Sequence, residues 1–321
     1  MALFLSEDDV CELLSMERAL ECVEASFLAQ AAGQAINRAR KRILLPHSSL
    51  HYMAAAFPAE EWYGMKIYTV TPSNLRFWVL LLNAQSGELK AVIQGDYLGR
   101  IRTGAASGVA TKYLARTDAS RVGLIGTGRQ ARTQLEAVAK VRQVSSAKVF
   151  GRDQERRQDF CRDVQERLGV RAEPASSAEE AVRFGEVVIA ASNARDPVVL
   201  GEWLRPGTHV NAIGANMANR RELDEWALAR ASLIAVDSLE QAHEEAGDLI
   251  QGFSELGRSW DGVVELCSVV SGSGPKRRSQ DDITIFKSCG LAIWDLAVAV
   301  YVYRQALEKG KGRELDPGFP V

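Results

Sequence analysis

Residues 121–140 read RVGLIGTGRQARTQLEAVAK. A short apolar run ends in a glycine, a second glycine follows two positions on, and the residues beyond carry apolar side chains at helical spacing. Gly126, Thr127, Gly128, Arg129, Gln130 and Ala131 therefore form a GxGxxA loop between a predicted strand and a predicted helix. Each small residue answers a separate need. Gly126 permits the tight turn out of the strand, and Gly128 lets backbone approach a pyrophosphate without a Cβ in the way. Ala131 permits close helix–strand packing, and the helix N-terminus offers unsatisfied N–H groups to the anion. Alone the pattern is weak. In a strand–turn–helix setting, with a second strand following, it points to a dinucleotide, and these six residues are the candidate contacts.

That second strand ends AKVFG, closing on Gly151 and Arg152. NAD-binding folds commonly place an acid there, hydrogen-bonded to the ribose 2′-hydroxyl. Its absence removes repulsion against a 2′-phosphate, and Arg152 can pair with that phosphate in a fork. NADP(H) is favoured. Asp153 keeps NAD(H) open, since a shift of one or two residues restores an acid.

Farther along, short apolar runs alternate with helical segments: QERRQDFCRDVQERLG, VVIAAS, HVNAIGA, ELDEWALARA, LIAVD and DITIFKS. This grammar predicts a parallel, doubly wound sheet. Upstream the grammar differs. Ser6 and Ser15 are predicted N-caps of two helices. RILLP, LHYMAAAF and GMKIYTV then read as strands, and FWVLLLNAQSGELKAVIQG reads as a hairpin turning at residues 85–88, so an antiparallel sheet is expected. RTGAASGVATKYLAR, from Arg102, reads as a helix whose Gly104, Ala105, Gly108 and Ala110 keep one face small. A long helix is expected over about 290–309, before a Gly/Pro-rich tail.

Composition excludes several classes. The 321 residues are 46% apolar and 25% charged with net charge −2, which gives no electrostatic case for nucleic acid or an anionic membrane. Five cysteines without paired spacing, and four histidines, suggest neither a disulfide framework nor a metal site. No window reaches the ~18 uninterrupted apolar residues of a spanning helix. The 290–303 stretch, the longest candidate, is interrupted by Asp295. The N-terminus lacks a basic leader region. A cytoplasmic chain is expected.

GMKIYTV, GRIRTGAASGVATKYLAR, GLIGTGRQA, RPGTHVNAIGANMANRRELD and DITIFKSCGLAIWDLAVA, spread from Lys66 to Ala299, together resemble the ornithine cyclodeaminase/mu-crystallin family. The resemblance implies a Rossmann dinucleotide-binding domain at 117–288, inserted into an α+β substrate-binding and dimerisation domain at 1–116 plus 289–321. It also implies a homodimer. Lys66 matches the family's active-site lysine. A lone lysine within an apolar strand is costly unless paired or functional, and burial lowers its pKa towards that of a proton donor. Arg102 matches the family's substrate-carboxylate arginine. At the predicted start of its helix, guanidinium and free backbone donors would converge on an anion.

Arg40, with Arg38 and Arg42 as rivals, is the expected second carboxylate contact, and His51 falls where the family varies a substrate-contacting residue. Cyclodeaminases of the family carry an aspartate where Asn216 stands here. An amide still hydrogen-bonds substrate or ribose but exchanges no proton near neutral pH. Ser192, Lys287 and Ser288, at strand ends, are expected near the nicotinamide, with Thr103 also assigned to the cofactor. Ser288 is expected to cap the last helix as well. The function implied is an NAD(P)H-dependent reductase of a small α-imino acid, equivalently an amino-acid dehydrogenase. The alternatives are a cyclodeaminase using bound NAD and a non-enzymatic, crystallin-like NADP-binding protein.

Overall fold

A computed structural model describes residues 2–315. The chain divides into two compact units, Met1–Arg102 with Gly290–Val321 and Thr103–Cys289. The division falls inside one helix.

In the first unit, β1 (Ala2–Leu5) leads to α1 (Glu7–Leu13), which starts at a reciprocal cap between Ser6 and Asp9. The Ser15 hydroxyl caps α2 (Met16–Ala31). Six strands follow: β2 (Ile36–Asn37), β3 (Lys41–Leu45), β4 (Ser48–Phe57), β5 (Trp62–Val70), β6 (Leu75–Asn83) and β7 (Leu89–Gln94). With the C-terminal strand Arg313–Leu315 they form one sheet, ordered C-terminal strand–β1–β7–β6–β5–β4–β2, and β3 also pairs with β4. Its pairings are antiparallel except β1 with β7. β6 and β7 make the expected hairpin.

Period-two alternation puts Gly64 and Lys66 of β5, and His51, Met53 and Ala55 of β4, among the buried positions. In register, Met53 lies opposite Lys66 and His51 opposite Tyr68. The C-terminal helix, Ala292–Lys309, packs on β4, β5 and β6. Its cap differs from the expected one. Leu291 occupies the cap position, and Asn37 Oδ1 accepts from the N–H groups of Ala292 (3.0 Å) and Ile293 (3.3 Å), so Ser288 is not the cap.

Helix α3 (Asp96–Leu114) begins earlier than its small-residue pattern suggested. The carboxylate of Glu7 accepts from the N–H groups of Asp96 (2.7 Å) and Tyr97 (2.8 Å), a cap supplied from a distant segment. Arg102 is thus in the second turn, where backbone N–H groups are spent within the helix. The expectation of free backbone donors beside it is corrected, and the guanidinium alone remains available to an anion.

The second unit is a parallel sheet with strands β8 (Arg121–Ile125), β9 (Ser146–Phe150), β10 (Arg171–Pro174), β11 (Val187–Ala190), β12 (His209–Ala212), β13 (Leu233–Val236), β14 (Val263–Glu265) and β15 (Thr284–Lys287). Their order is β10–β9–β8–β11–β12–β15–β13–β14. Helices α4 (Arg129–Val141), α5 (Gln154–Leu168), α6 (Ala178–Phe184), α7 (Glu225–Arg230), α8 (Leu239–Glu245), α9 (Gly247–Leu256) and α10 (Leu266–Val270) lie between the strands in sequence. β11, β12 and β13 are buried throughout, as strands covered on both faces require. Order reverses between β8 and β11, the switch point at which doubly wound sheets bind ligands. β10 and β14, short and partly polar, carried no strand signal. The small face of α3 has a concrete use: a Cβ at Gly104 would stand 2.4 Å from the carbonyl oxygen of Thr133 on α4.

Candidate active site

In the first unit, three cations gather around one carboxylate. Lys66 (4% exposed), Arg102 (5%) and Arg40 (4%) are buried, as is Asp295 (1%), on the first turn of the C-terminal helix. Asp295 Oδ1 accepts from Lys66 Nζ at 2.7 Å and from Arg102 Nε at 3.0 Å. Arg40 Nη2 donates to the carbonyl of Gly290 at 3.4 Å. Gly290 has φ +88°, and a Cβ there would come within 2.9 Å of Arg102 Nη1, so only glycine leaves the guanidinium in place.

Asp295 Oδ2 and Arg102 Nη1 are buried without a hydrogen-bond partner. An orphaned buried polar group costs about 1–3 kcal/mol, and more when charged, so both atoms call for a partner. Burial, reinforced by the Arg102 charge and opposed by Asp295, lowers the Lys66 pKa to about 8.

Of the three arginines weighed for the second carboxylate contact, Arg40 is buried, Arg42 half-buried and Arg38 exposed. His51 stacks on Tyr68 (centroids 4.4 Å apart), and its Nε2 lies 2.7 Å from Ser49 Oγ. Burial, with the charges of Arg42 and Arg40, lowers its pKa to about 4, so the ring is neutral at pH 7. His51 Nδ1 is buried and unpartnered. Sequence reasoning missed Asp295 as a site residue. The signal was present: one acid among the apolar residues of AIWDLAVAV, on a helix otherwise buried at that end.

In the second unit, Gly126 adopts φ +110°, and a Cβ there would stand 2.3 Å from the carbonyl oxygen of Ala191. Gly128 caps α4 with no side-chain hydrogen bond, and a Cβ on it would meet nothing within 4 Å. The fold itself places no demand for glycine at 128. A phosphate group lying against that backbone does, which fits a dinucleotide at this turn. Ala131 is fully buried, Thr127 packs against Gly151, and Arg129 and Gln130 open the helix. Thr103 is half-buried, and its carbonyl accepts from Gln134 Nε2 at 3.0 Å. Beyond β9, Arg152 is exposed, while Asp153 caps α5 by accepting from Arg156 N at 3.1 Å.

The ends of β11, β12 and β15 are tied by a buried network that sequence reasoning also missed. Glu222 accepts from Ser192 N (2.6 Å) and Gly214 N (2.7 Å), and Asp248 accepts from Glu222 N (2.6 Å) and Leu223 N (2.9 Å). Lys287 Nζ pairs with Asp248 at 2.8 Å, both side chains fully buried, and donates to the Ala215 carbonyl. Burial and the nearby Asp248 raise the Glu222 pKa. Lys287, expected near the nicotinamide, thus has its ammonium committed to Asp248 and the Ala215 carbonyl. Ser288 is buried likewise, its hydroxyl donating to Asp237 at 3.1 Å. Ser192 and Asn216 are half-buried, in the segments held by Glu222 and Lys287.

The chain matches the model of the ornithine cyclodeaminase/mu-crystallin family over residues 1–310. It is 35% identical over 326 residues to a Delta(1)-pyrroline-2-carboxylate reductase of Bacillus cereus, covering 98% of this chain and 99% of that one. The solved Thermococcus litoralis Delta(1)-pyrroline-2-carboxylate reductase, in complex with NADH and L-proline, superposes with TM-score 0.93 at 35% identity, covering 98% of this chain and all of that one (100%). An archaeal alanine dehydrogenase dimer with bound NAD gives TM-score 0.93 at 34% identity, over 98% of this chain and 99% of that one. With a dinucleotide turn in one unit, a lysine–arginine–aspartate cluster in the other and family-wide similarity along the chain, this protein belongs to the ornithine cyclodeaminase/mu-crystallin family.

Proposed function

We propose that this chain is an NAD(P)H-dependent reductase of a small α-imino acid, run in reverse as an amino-acid dehydrogenase. The observation that carries the reading is the buried Lys66–Asp295–Arg102 cluster, with Arg102 Nη1 left without a partner. Arg40, Lys66 and Arg102 outnumber Asp295, so the cluster is cationic and suits one carboxylate. Its relatives' names include pyrroline-2-carboxylate reductase and alanine dehydrogenase, both of which handle an α-amino or α-imino carboxylate.

In this reading Arg102, with Arg40, holds the carboxylate and fixes the adjoining carbon. The dinucleotide, when bound, supplies the hydride that this carbon accepts. As the C=N bond is reduced its electron pair moves onto nitrogen, and Lys66 gives that nitrogen a proton. Asp295 holds the lysine in place through Oδ1. Gly126 to Ala131 would receive the pyrophosphate at the start of α4, and Ser192 and Asn216 would border the cofactor beside strands β11 and β12.

Two finer points belong to the same proposal. Arg152, with Gly151 before it and Asp153 committed to a helix cap, favours NADP(H) over NAD(H). Assembly is as a homodimer, supported by Ile43 (52% exposed), Leu44 (69%) and Leu45 (63%) on the edge strand β3. The test is absorbance at the reduced-nicotinamide band, with either cofactor, against Δ1-pyrroline-2-carboxylate and against 2-oxo acids with ammonia. Stoichiometric loss of the reduced cofactor with an imine supports the reading. Ammonia release from ornithine without net cofactor change contradicts it.

A further inference from the structure

We propose that Asp295 is itself a substrate-binding residue: its second carboxylate oxygen accepts the N–H of the protonated imino nitrogen, so the pocket selects substrates that carry that N–H. The proposal rests on the reading of the pocket as an imino-acid site.

Three observations converge on it. Asp295 Oδ1 already serves two donors, Lys66 Nζ at 2.7 Å and Arg102 Nε at 3.0 Å, so its alignment is fixed. Oδ2 of the same group is buried and unpartnered, on a side chain 1% exposed. The second orphan, Nη1, belongs to Arg102, the other partner of one of those bonds. A donor and an acceptor thus wait on two hydrogen-bonded side chains. An α-imino acid carries the complementary pair on neighbouring atoms, a carboxylate to accept and a protonated nitrogen to donate. Nothing in packing requires either orphan. Replacing Asp295 by an apolar residue would remove the cost of Oδ2 but would strand two cations. Gly290, whose lack of a Cβ keeps Arg102 Nη1 uncovered, maintains the same arrangement.

The role is distinct from that of Lys66. The N–H held by Oδ2 lies in the plane of the C=N bond, whereas the electron pair that Lys66 protonates appears perpendicular to that plane on reduction. One nitrogen can therefore use both groups in turn.

The probes are pyrrole-2-carboxylate, planar with a ring N–H, and furan-2-carboxylate, the same shape with an oxygen acceptor in its place. Each is titrated calorimetrically into the full-length chain with oxidised cofactor present. The wild-type protein is expected to bind the pyrrole acid about tenfold more tightly or better, the ratio one charge-assisted hydrogen bond sustains. In Asp295→Asn the amide oxygen keeps the Lys66 and Arg102 contacts, and an NH2 group replaces Oδ2. The preference is then expected to vanish or reverse. A purely structural role for Asp295 would weaken both ligands alike, and an unchanged ratio in the variant overturns the proposal. Equal affinities in the wild-type protein overturn it without any variant. Binding of neither acid overturns the imino-acid reading, and the proposal falls with it.

Discussion

Lys66 and Asp295 meet at 2.7 Å across 229 residues of sequence, both buried. The contact joins the middle of a central strand to the last helix of the same unit, so Lys66 gains its buried partner only when distant parts of the chain have folded together. It holds the lysine charged against the burial that lowers its pKa to about 8. The balance leaves Lys66 mostly protonated at pH 7 and able to give its proton away.

The rate of imine reduction should fall as pH rises through about 8, where Lys66 loses its proton. Lys66→Met should lower kcat by roughly 10²–10⁴-fold, the usual scale of a positioned proton donor, and should remove that limb. Stability has the opposite sign. The unfolded chain keeps this proton up to 10.5, so the folded form gains stability as pH rises from about 8 to 10.5. Kinetic pH profiles and urea midpoints of both proteins check the pair of outcomes.

Arg102→Lys keeps a positive charge but loses the planar fork. KM for the imino acid should rise by about tenfold to a hundredfold, while the dissociation constant of the dinucleotide, measured by fluorescence titration, should stay unchanged. A parallel loss of both would place Arg102 outside the substrate pocket.

Cofactor choice should hinge on Arg152. Arg152→Ala is expected to weaken NADPH by about tenfold and leave NADH nearly unaltered, because only the 2′-phosphate is lost as a partner. Comparing kcat/KM for the two cofactors in each protein gives the answer. A uniform decrease contradicts the assignment.

Asp248→Ala leaves Lys287 buried, and fully so, without its ion pair. Removing one member of such a pair typically costs roughly 3–5 kcal/mol, so the urea midpoint should drop sharply. The backbone N–H groups of Glu222 and Leu223 lose their carboxylate acceptor at the same time.

What was legible in the sequence was whatever repeats locally. The GxGxxA turn, the alternating strands and helices and the β6–β7 hairpin are set by neighbours a few residues apart, and the structure has them where the pattern put them. Contacts between distant segments were not legible. The Glu7 cap of α3 moved the helix start and with it the surroundings of Arg102. Asn37 capped the last helix in place of Ser288. Asp295 was noticed only as an interruption in an apolar run, because nothing within its own helix reveals that Lys66 and Arg102 converge on it. Lys287 looked available at a strand end, yet Asp248, on the separate helix α9, pairs with its charge.

The most direct test of imine reduction is to follow the hydride. The protein is given cofactor deuterated at the transferring position of the nicotinamide and Δ1-pyrroline-2-carboxylate, and the product is examined by mass spectrometry and NMR. The account predicts one deuterium on the α-carbon of proline for each cofactor oxidised. Proline formed without deuterium, or no proline formed from this imine, would contradict it.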